Sequence, residues 1–165
     1  MPIMPITFVP HPGAVLMCDF TGFRPPEMTK LRHVVVLSKR SRVSFPDTYI
    51  VVPISKTPPN PAESCHCEFR PRSYDFFDPV EAVWAKGNMV TCVAKGRLDR
   101  VKISGRYTDA RIRAEDLLRV RRSVLYALGM EDWGPAEKAV EALLRAKAST
   151  QDAGSEDTLP ESDSA

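Results

Sequence analysis

The sequence predicts a mostly β fold, a small antiparallel barrel or sandwich, followed by C-terminal helices and an acidic disordered tail. Three observations predict it. Short runs rich in Val, Ile and Leu recur along the first part of the chain, separated by turns that carry Pro and Gly. After residue 112 the apolar spacing changes to three and four, the period of a helix. After residue 149 the composition turns small, polar and acidic, and such a segment cannot bury enough surface to fold.

The elements follow in order. Residues 14–20, AVLMCDF, come after Pro12-Gly13 and read as a first strand. Residues 21–30, TGFRPPEMTK, form a polar loop with two prolines. Residues 32–38, RHVVVLS, make a second strand, and its apolar run Val34–Leu37 predicts burial on both faces. A connection over 38–47 leads to 48–55, TYIVVPIS, a β-branched third strand expected to end near Pro53. Residues 56–63, KTPPNPAE, hold three prolines and exclude regular structure. SCHCEF (64–69), AVWAK (82–86) and NMVTCVA (88–94) complete six strands, with Gly87 dividing the last two.

From Arg113 to Leu128, apolar residues fall at Leu117, Leu118, Val120, Val124, Leu125 and Leu128, and Gly129 is a helix stop. A second helix is expected from Pro135 to about Ala148, with Pro135 in its first turn and Val140, Leu143 and Leu144 as a thin apolar stripe. The expected organisation is a barrel domain with a terminal helix over 1–129, an additional helix over 130–149 and an acidic disordered tail over 150–165.

At 165 residues the chain suits one domain with an appendage. Its net charge of +2 hides an asymmetry. Residues 1–129 carry 20 Lys and Arg against 12 Asp and Glu, a balance of +8, and residues 130–165 carry 3 against 9, a balance of −6. A basic body implies a polyanionic partner. The leader MPIMPITFVPHPG has no basic start and no long apolar core, so it does not read as a signal peptide. No apolar run approaches the roughly 18 residues of a membrane span. The four cysteines do not form a small secreted framework. The expected setting is the cytoplasm, without a membrane partner and with reduced thiols.

The residues that carry chemistry are few. Cys65-His66-Cys67 has no second ligand pair elsewhere and does not make a tetrahedral zinc site; two buried thiols and an exposed His are expected instead. No Ser/His/Asp triad, Gly-rich phosphate loop or zinc-protease pattern is present, and no metal or cofactor is expected. What remains is a basic entrance to the second strand, Lys30, Arg32 and His33, and a hydroxyl-rich exit from the third, Ser55, Lys56 and Thr57. If the two strands pair antiparallel, Arg32 and Ser55 are neighbours at one rim. An Arg fork beside a hydroxyl makes a phosphate clamp.

The order of these segments resembles the PemK/MazF family of toxin ribonucleases. Gly13-Ala14-Val15-Leu16-Met17-Cys18-Asp19-Phe20 matches its Gly-led first strand. Arg32-His33-Val34-Val35-Val36-Leu37-Ser38 matches its Arg-Pro and Val-rich strand ending in Ser, with His33 in place of the usual Pro. Val52-Pro53-Ile54-Ser55 matches its third strand, and Met89–Val93, Arg97-Leu98-Asp99-Arg100 and residues 113–128 keep its later order. The resemblance covers about residues 12–129. It implies a small, strongly bent, SH3-like antiparallel barrel with a terminal helix, acting as a homodimer.

It also implies a toxin-type, metal-independent endoribonuclease. The partners implied are single-stranded RNA, DNA as a second nucleic acid, and a cognate antitoxin protein that holds the toxin off. Arg32 falls on the family's catalytic arginine and Ser55 on its catalytic Thr/Ser. Lys30, His33, Lys56, Thr57 and Glu27, the last near a family loop glutamate, are the expected substrate-binding residues. Met89 and Val90 stand where some members carry polar, base-reading residues. The alternative on the same barrel is a non-catalytic module that grips nucleic acid or an antitoxin-like peptide. A third reading is a structural protein whose acidic tail binds a basic partner.

Overall fold

Gly13 turns the leader into the first strand at φ +84°, a left-handed conformation that glycine adopts without strain. Its N–H donates to the Val36 carbonyl at 2.8 Å, and its own carbonyl accepts the Ile112 N–H at 3.0 Å, so one turn ties three distant segments. The computed structural model of the protein describes residues 3–38 and 48–130. The chain divides into two units, Met1–Gly129 and Met130–Ala165, and the description concerns the first. The expected second helix, the acidic tail and most of the 38–47 connection lie outside the described residues.

Eight strands and one helix follow in chain order: β1 (Val15–Cys18), β2 (Arg32–Val36), β3 (Thr48–Ser55), β4 (His66–Phe69), β5 (Val83–Lys86), β6 (Thr91–Ala94), β7 (Leu98–Ile103), β8 (Arg106–Thr108) and α1 (Ala114–Ala127). All strand pairs are antiparallel. They form one sheet in the order β4-β5-β3-β2-β1-β7-β8, with β6 also on β3. This is the expected mostly β fold with a terminal helix. The sheet is not closed, however, since β4 and β8 remain its two ends.

The third strand has the expected bounds, Thr48–Ser55, and so continues two residues past Pro53. β3 pairs with β2 along one edge; along the other it pairs first with β6, from Thr48 to Val51, and then with β5, at Ile54 and Ser55. The Ile50 carbonyl accepts the Leu37 N–H at 2.9 Å, so every second residue from Ile50 turns its polar groups toward β2. Pro53 faces the other way, into the gap between β6 and β5. The proline lacks an N–H at the point where no strand stands to receive one.

Two strands, β7 and β8, are absent from the periodicity. β7 buries only Leu98 and Val101, which lie three residues apart and so on opposite faces, and Asp99, Arg100 and Lys102 interrupt any alternation. By contrast Val34, Val35 and Val36 are all fully buried, as the apolar run predicts. Val34 and Val36 join Leu16, Cys18 and Val51 on one face. Val35 joins Val15, Val52 and Ile54 on the other, where α1 adds Leu117, Val120 and Val124. Each such side chain contributes about 1.5–3 kcal/mol on burial.

The helix rests on the turn at Gly87. A Cβ built there would lie 2.6 Å from the backbone carbon and oxygen of Ser123, so only glycine admits this approach. The first turn of α1 carries Glu115 and Asp116. Buried Asp116 accepts hydrogen bonds from Tyr74 Oη, from Arg113 at 3.2 Å and from Arg119 at 2.8 Å. Burial works against its charge, but these bonds outweigh it and keep the carboxyl below the ordinary range. The network ties Tyr74, whose Oη also accepts the Arg113 N–H at 2.8 Å, to the start of the helix. An aromatic cluster continues it: Phe76 stacks on Tyr74, and Phe77 packs edge-on against Phe76 and against Phe69 at a tilt.

Candidate active site

The pairing of β2 with β3 sets Val34 opposite Pro53 and Val35 opposite Val52. The pairing ends at Val34–Pro53; two residues further on, β2 begins at Arg32 and β3 ends at Ser55, so both stand at the same end of the sheet. Arg32, His33, Ser55, Lys56 and Thr57 are all among the residues that line one cavity of about 280 Å³. Its further wall is Phe77 and Asp78, held in place by the aromatic cluster and the Asp116 network.

The site is less wet than a rim would be. Ser55 is only 7% exposed. Its Oγ accepts the Thr57 N–H at 3.1 Å, which leaves the hydroxyl proton to donate. Arg32 is half-buried, and its Nε is a buried donor with no hydrogen-bond partner among the described residues. A buried unpaired donor of this kind costs about 1–3 kcal/mol, and more when it belongs to a charged group. An anion entering the cavity would relieve that cost.

Lys56 is not a spare cation. It pairs with Asp78 and stands 3.6 Å from Glu81. The Asp78 carboxyl is pulled down to about 2 by its Lys56 hydrogen bond and by the backbone N–H groups of Val80 and Glu81. His33 is the opposite case. Burial lowers its pKa and the neighbouring Lys56 lowers it further, so the imidazole is neutral at pH 7. Its ring meets Phe77 edge-on at 5.9 Å between centroids. The cavity thus combines a fixed cation, a hydroxyl donor, a neutral imidazole and an ion pair.

Lys30 and Glu27 do not line it. Lys30 is exposed in the loop before β2. Glu27 lines a separate cavity of about 470 Å³ between residues 20–28 and 88–91, and its Oε2 accepts the Arg24 N–H at 2.9 Å. Met89 and Val90 border that larger cavity, with Asn88 and Thr91 among its polar lining. Sequence reasoning missed Phe77 and Asp78. The run Phe76-Phe77-Asp78-Pro79 offered a signal, two aromatics before an Asp-Pro turn, but it lies in neither a strand nor a helix pattern.

Cys65 and Cys67 are buried, as expected, and His66 is half-buried rather than exposed. Among the described residues no group of three or more His, Cys, Asp and Glu is placed to hold a metal ion. No helix among them is long and apolar enough to cross a membrane.

Comparison with known proteins identifies the family and the fold. A sequence model described as "PemK-like, MazF-like toxin of type II toxin-antitoxin system" matches residues 11–127. YifN, an uncharacterized protein of Escherichia coli (strain K12), is 28% identical over 146 residues, covering 76% of this chain and 95% of its own. The fold is shared with MazF from Deinococcus radiodurans at a TM-score of 0.55 and 19% identity, over 74% of this chain and 99% of that one. An endoribonuclease from a mycobacterial species, solved with its cognate antitoxin, gives a TM-score of 0.53 at 15% identity, over 74% of this chain and 97% of that one. Because the family match spans most of the chain and includes both β2 and β3, the chain belongs to the PemK/MazF-like toxin family of type II toxin–antitoxin systems.

Proposed function

We propose that this protein is an endoribonuclease that cleaves single-stranded RNA by attack of the substrate's own 2′-hydroxyl, and that a cognate antitoxin holds it off. The observation that carries the reading is that Arg32 and Ser55 line one cavity, with a buried arginine donor that has no hydrogen-bond partner among the described residues. In this reading the guanidinium grips the scissile phosphate and offsets the charge that builds on its oxygens. Ser55 donates its hydroxyl proton to the same group and orients it. The 2′-oxygen bonds to phosphorus and the bond to the 5′-oxygen breaks. The products are a 2′,3′-cyclic phosphate and a 5′-hydroxyl. The fixed charge of Arg32 meets the need for a cation, so no metal enters the scheme. Thr57 flanks Ser55, while Lys30 and Glu27 serve outside the phosphate pocket. The mycobacterial relative bound to its antitoxin supports a protein inhibitor here too, and the family resemblance supports a homodimer.

The test is incubation of the full chain with a defined single-stranded RNA in EDTA, with the new ends identified. Cyclic phosphate and 5′-hydroxyl ends are expected, and an RNA with one 2′-deoxy sugar at the cut site should resist. Cleavage that vanishes in EDTA and returns with magnesium would refute the 2′-hydroxyl mechanism. Binding without cleavage would leave the non-catalytic module as the better account.

A further inference from the structure

A second cavity, of about 290 Å³, adjoins the phosphate pocket. It is walled by Ile3 from the leader and by Arg100, Val101 and Lys102 from β7. Met17, Leu31 and His33 line both cavities, and His33 is the one ionisable side chain common to the two. The second space matches the lower end of small-ligand pockets, about 300 Å³, which suits one nucleoside rather than two. Its cations, Arg100 and Lys102, both lie 4.4 Å from the Tyr107 ring, so their charges are held at this edge of the groove.

The reaction proposed above needs a group at such a junction. The 2′-hydroxyl belongs to the ribose but attacks the phosphate next to it, so it sits at the border between sugar and phosphate. We infer that His33 is the proton acceptor for that hydroxyl, with the nucleoside that bears it in the second cavity and its phosphate against Arg32 and Ser55. The inference rests on the ribonuclease reading. The balance is simple. The 2′-oxygen gives its proton to an imidazole nitrogen as it bonds to phosphorus, and the 5′-oxygen leaves and takes a proton from water.

Other groups around the ring fit the task less well. Arg32 beside it, Lys56 at the end of β3, and Arg100 and Lys102 on β7 are cations. Asp78 is occupied by Lys56 and two backbone N–H groups, and Asp99 by the Met4 and Arg100 N–H groups. Among the described residues no hydrogen bond occupies a nitrogen of the imidazole, whose ring contact is Phe77, met at 88° with 5.9 Å between centroids. Its neutrality at pH 7 agrees with the role. His33 also stands where the family resemblance has proline, so the acceptor is this chain's own.

The experiment is single-turnover RNA cleavage by the full chain from pH 5 to 9, with His33→Gln, with His33→Ala, and with His33→Ala plus added imidazole. Wild-type cleavage should slow as pH falls. Both variants should lose roughly 10²–10⁴-fold at pH 7. They should also lose the acid limb, and imidazole should restore part of the rate to His33→Ala. Arg32→Ala, slow for a different reason, should keep the acid limb in its residual activity. A His33→Gln chain with wild-type rate and pH profile overturns the inference and leaves the ribonuclease reading standing. So does a slow variant that keeps the acid limb and ignores imidazole, since that marks a packing role. A wild-type chain that cleaves no single-stranded RNA at any pH overturns both.

Discussion

Arg32 and Ser55 line one cavity at the end of the sheet where β2 begins and β3 ends, two residues beyond the Val34–Pro53 pair. Behind them Val34, Val35 and Val36 are buried on both faces, so packed core holds this end of the sheet.

The first prediction follows from that placement. Arg32→Ala should reduce RNA cleavage by roughly 10²–10³-fold. The melting temperature should fall little or even rise, because the unpaired buried Nε goes with the side chain. Arg32→Lys should also be poor, since one ammonium cannot reproduce a guanidinium fork. Full cleavage by either variant at unchanged stability would remove Arg32 from the mechanism.

Asp78 offers the second. It puts a carboxylate into the wall of a cavity argued to hold a phosphate, and it occupies Lys56. Asp78→Asn should release the lysine and tighten binding of a non-cleavable 2′-deoxy-substituted RNA by roughly two- to five-fold at low salt, the scale of an exposed ion pair. The gain should shrink as salt rises. Fluorescence anisotropy at two salt concentrations measures it, and equal affinities at low salt would mean that Lys56 does not meet the RNA.

The third concerns pH. The folded-state pKa of His33 is lowered by burial and by Lys56, so the folded chain resists protonating it. That stability is present above the unfolded value of about 6.5 and is lost as pH falls through 6.5 toward the folded value. Burial pushes the Cys18 thiol up to about 12 from 9.0, against a smaller opposing pull from Arg97. Its contribution is full below 9 and lost as pH rises from 9 toward 12. Urea unfolding across pH 5–10 should show both flanks, and His33→Gln should flatten the acid one alone. An acid flank unchanged in that variant would trace it to other groups.

The fourth tests the packing of the helix. Gly87→Ala should destabilise the fold by about 1–3 kcal/mol, because the new methyl meets backbone, which cannot rotate away. Alanine at exposed Gly96, with nothing within 4 Å of its Cβ, should have a far smaller effect. Chemical denaturation distinguishes them, and equal midpoints would show that α1 can lift from the turn.

Much of this protein was decided by local sequence. Val34–Val36 are buried on both faces because an unbroken apolar run has no polar side to offer water, and that made β2 legible. The spacing from Leu117 to Val124 fixed α1 in the same way. That Arg32 and Ser55 lie at one end of the sheet was legible too, since antiparallel pairing brings the start of one strand to the end of the other. Tertiary structure decided the rest. β7 and β8 bury too few residues per face to show a period, and become strands because β1 supplies a hydrogen-bonding edge. Asp78 reaches the cavity because Tyr74 and Phe77 anchor its segment to α1 and the core, contacts that span up to 42 residues. The place of His33 between two cavities depends on Ile3 and β7, which sequence order sets on either side of β2. Local pattern encodes which residues avoid water; which polar groups then meet depends on long-range pairing, and no window along the chain contains it.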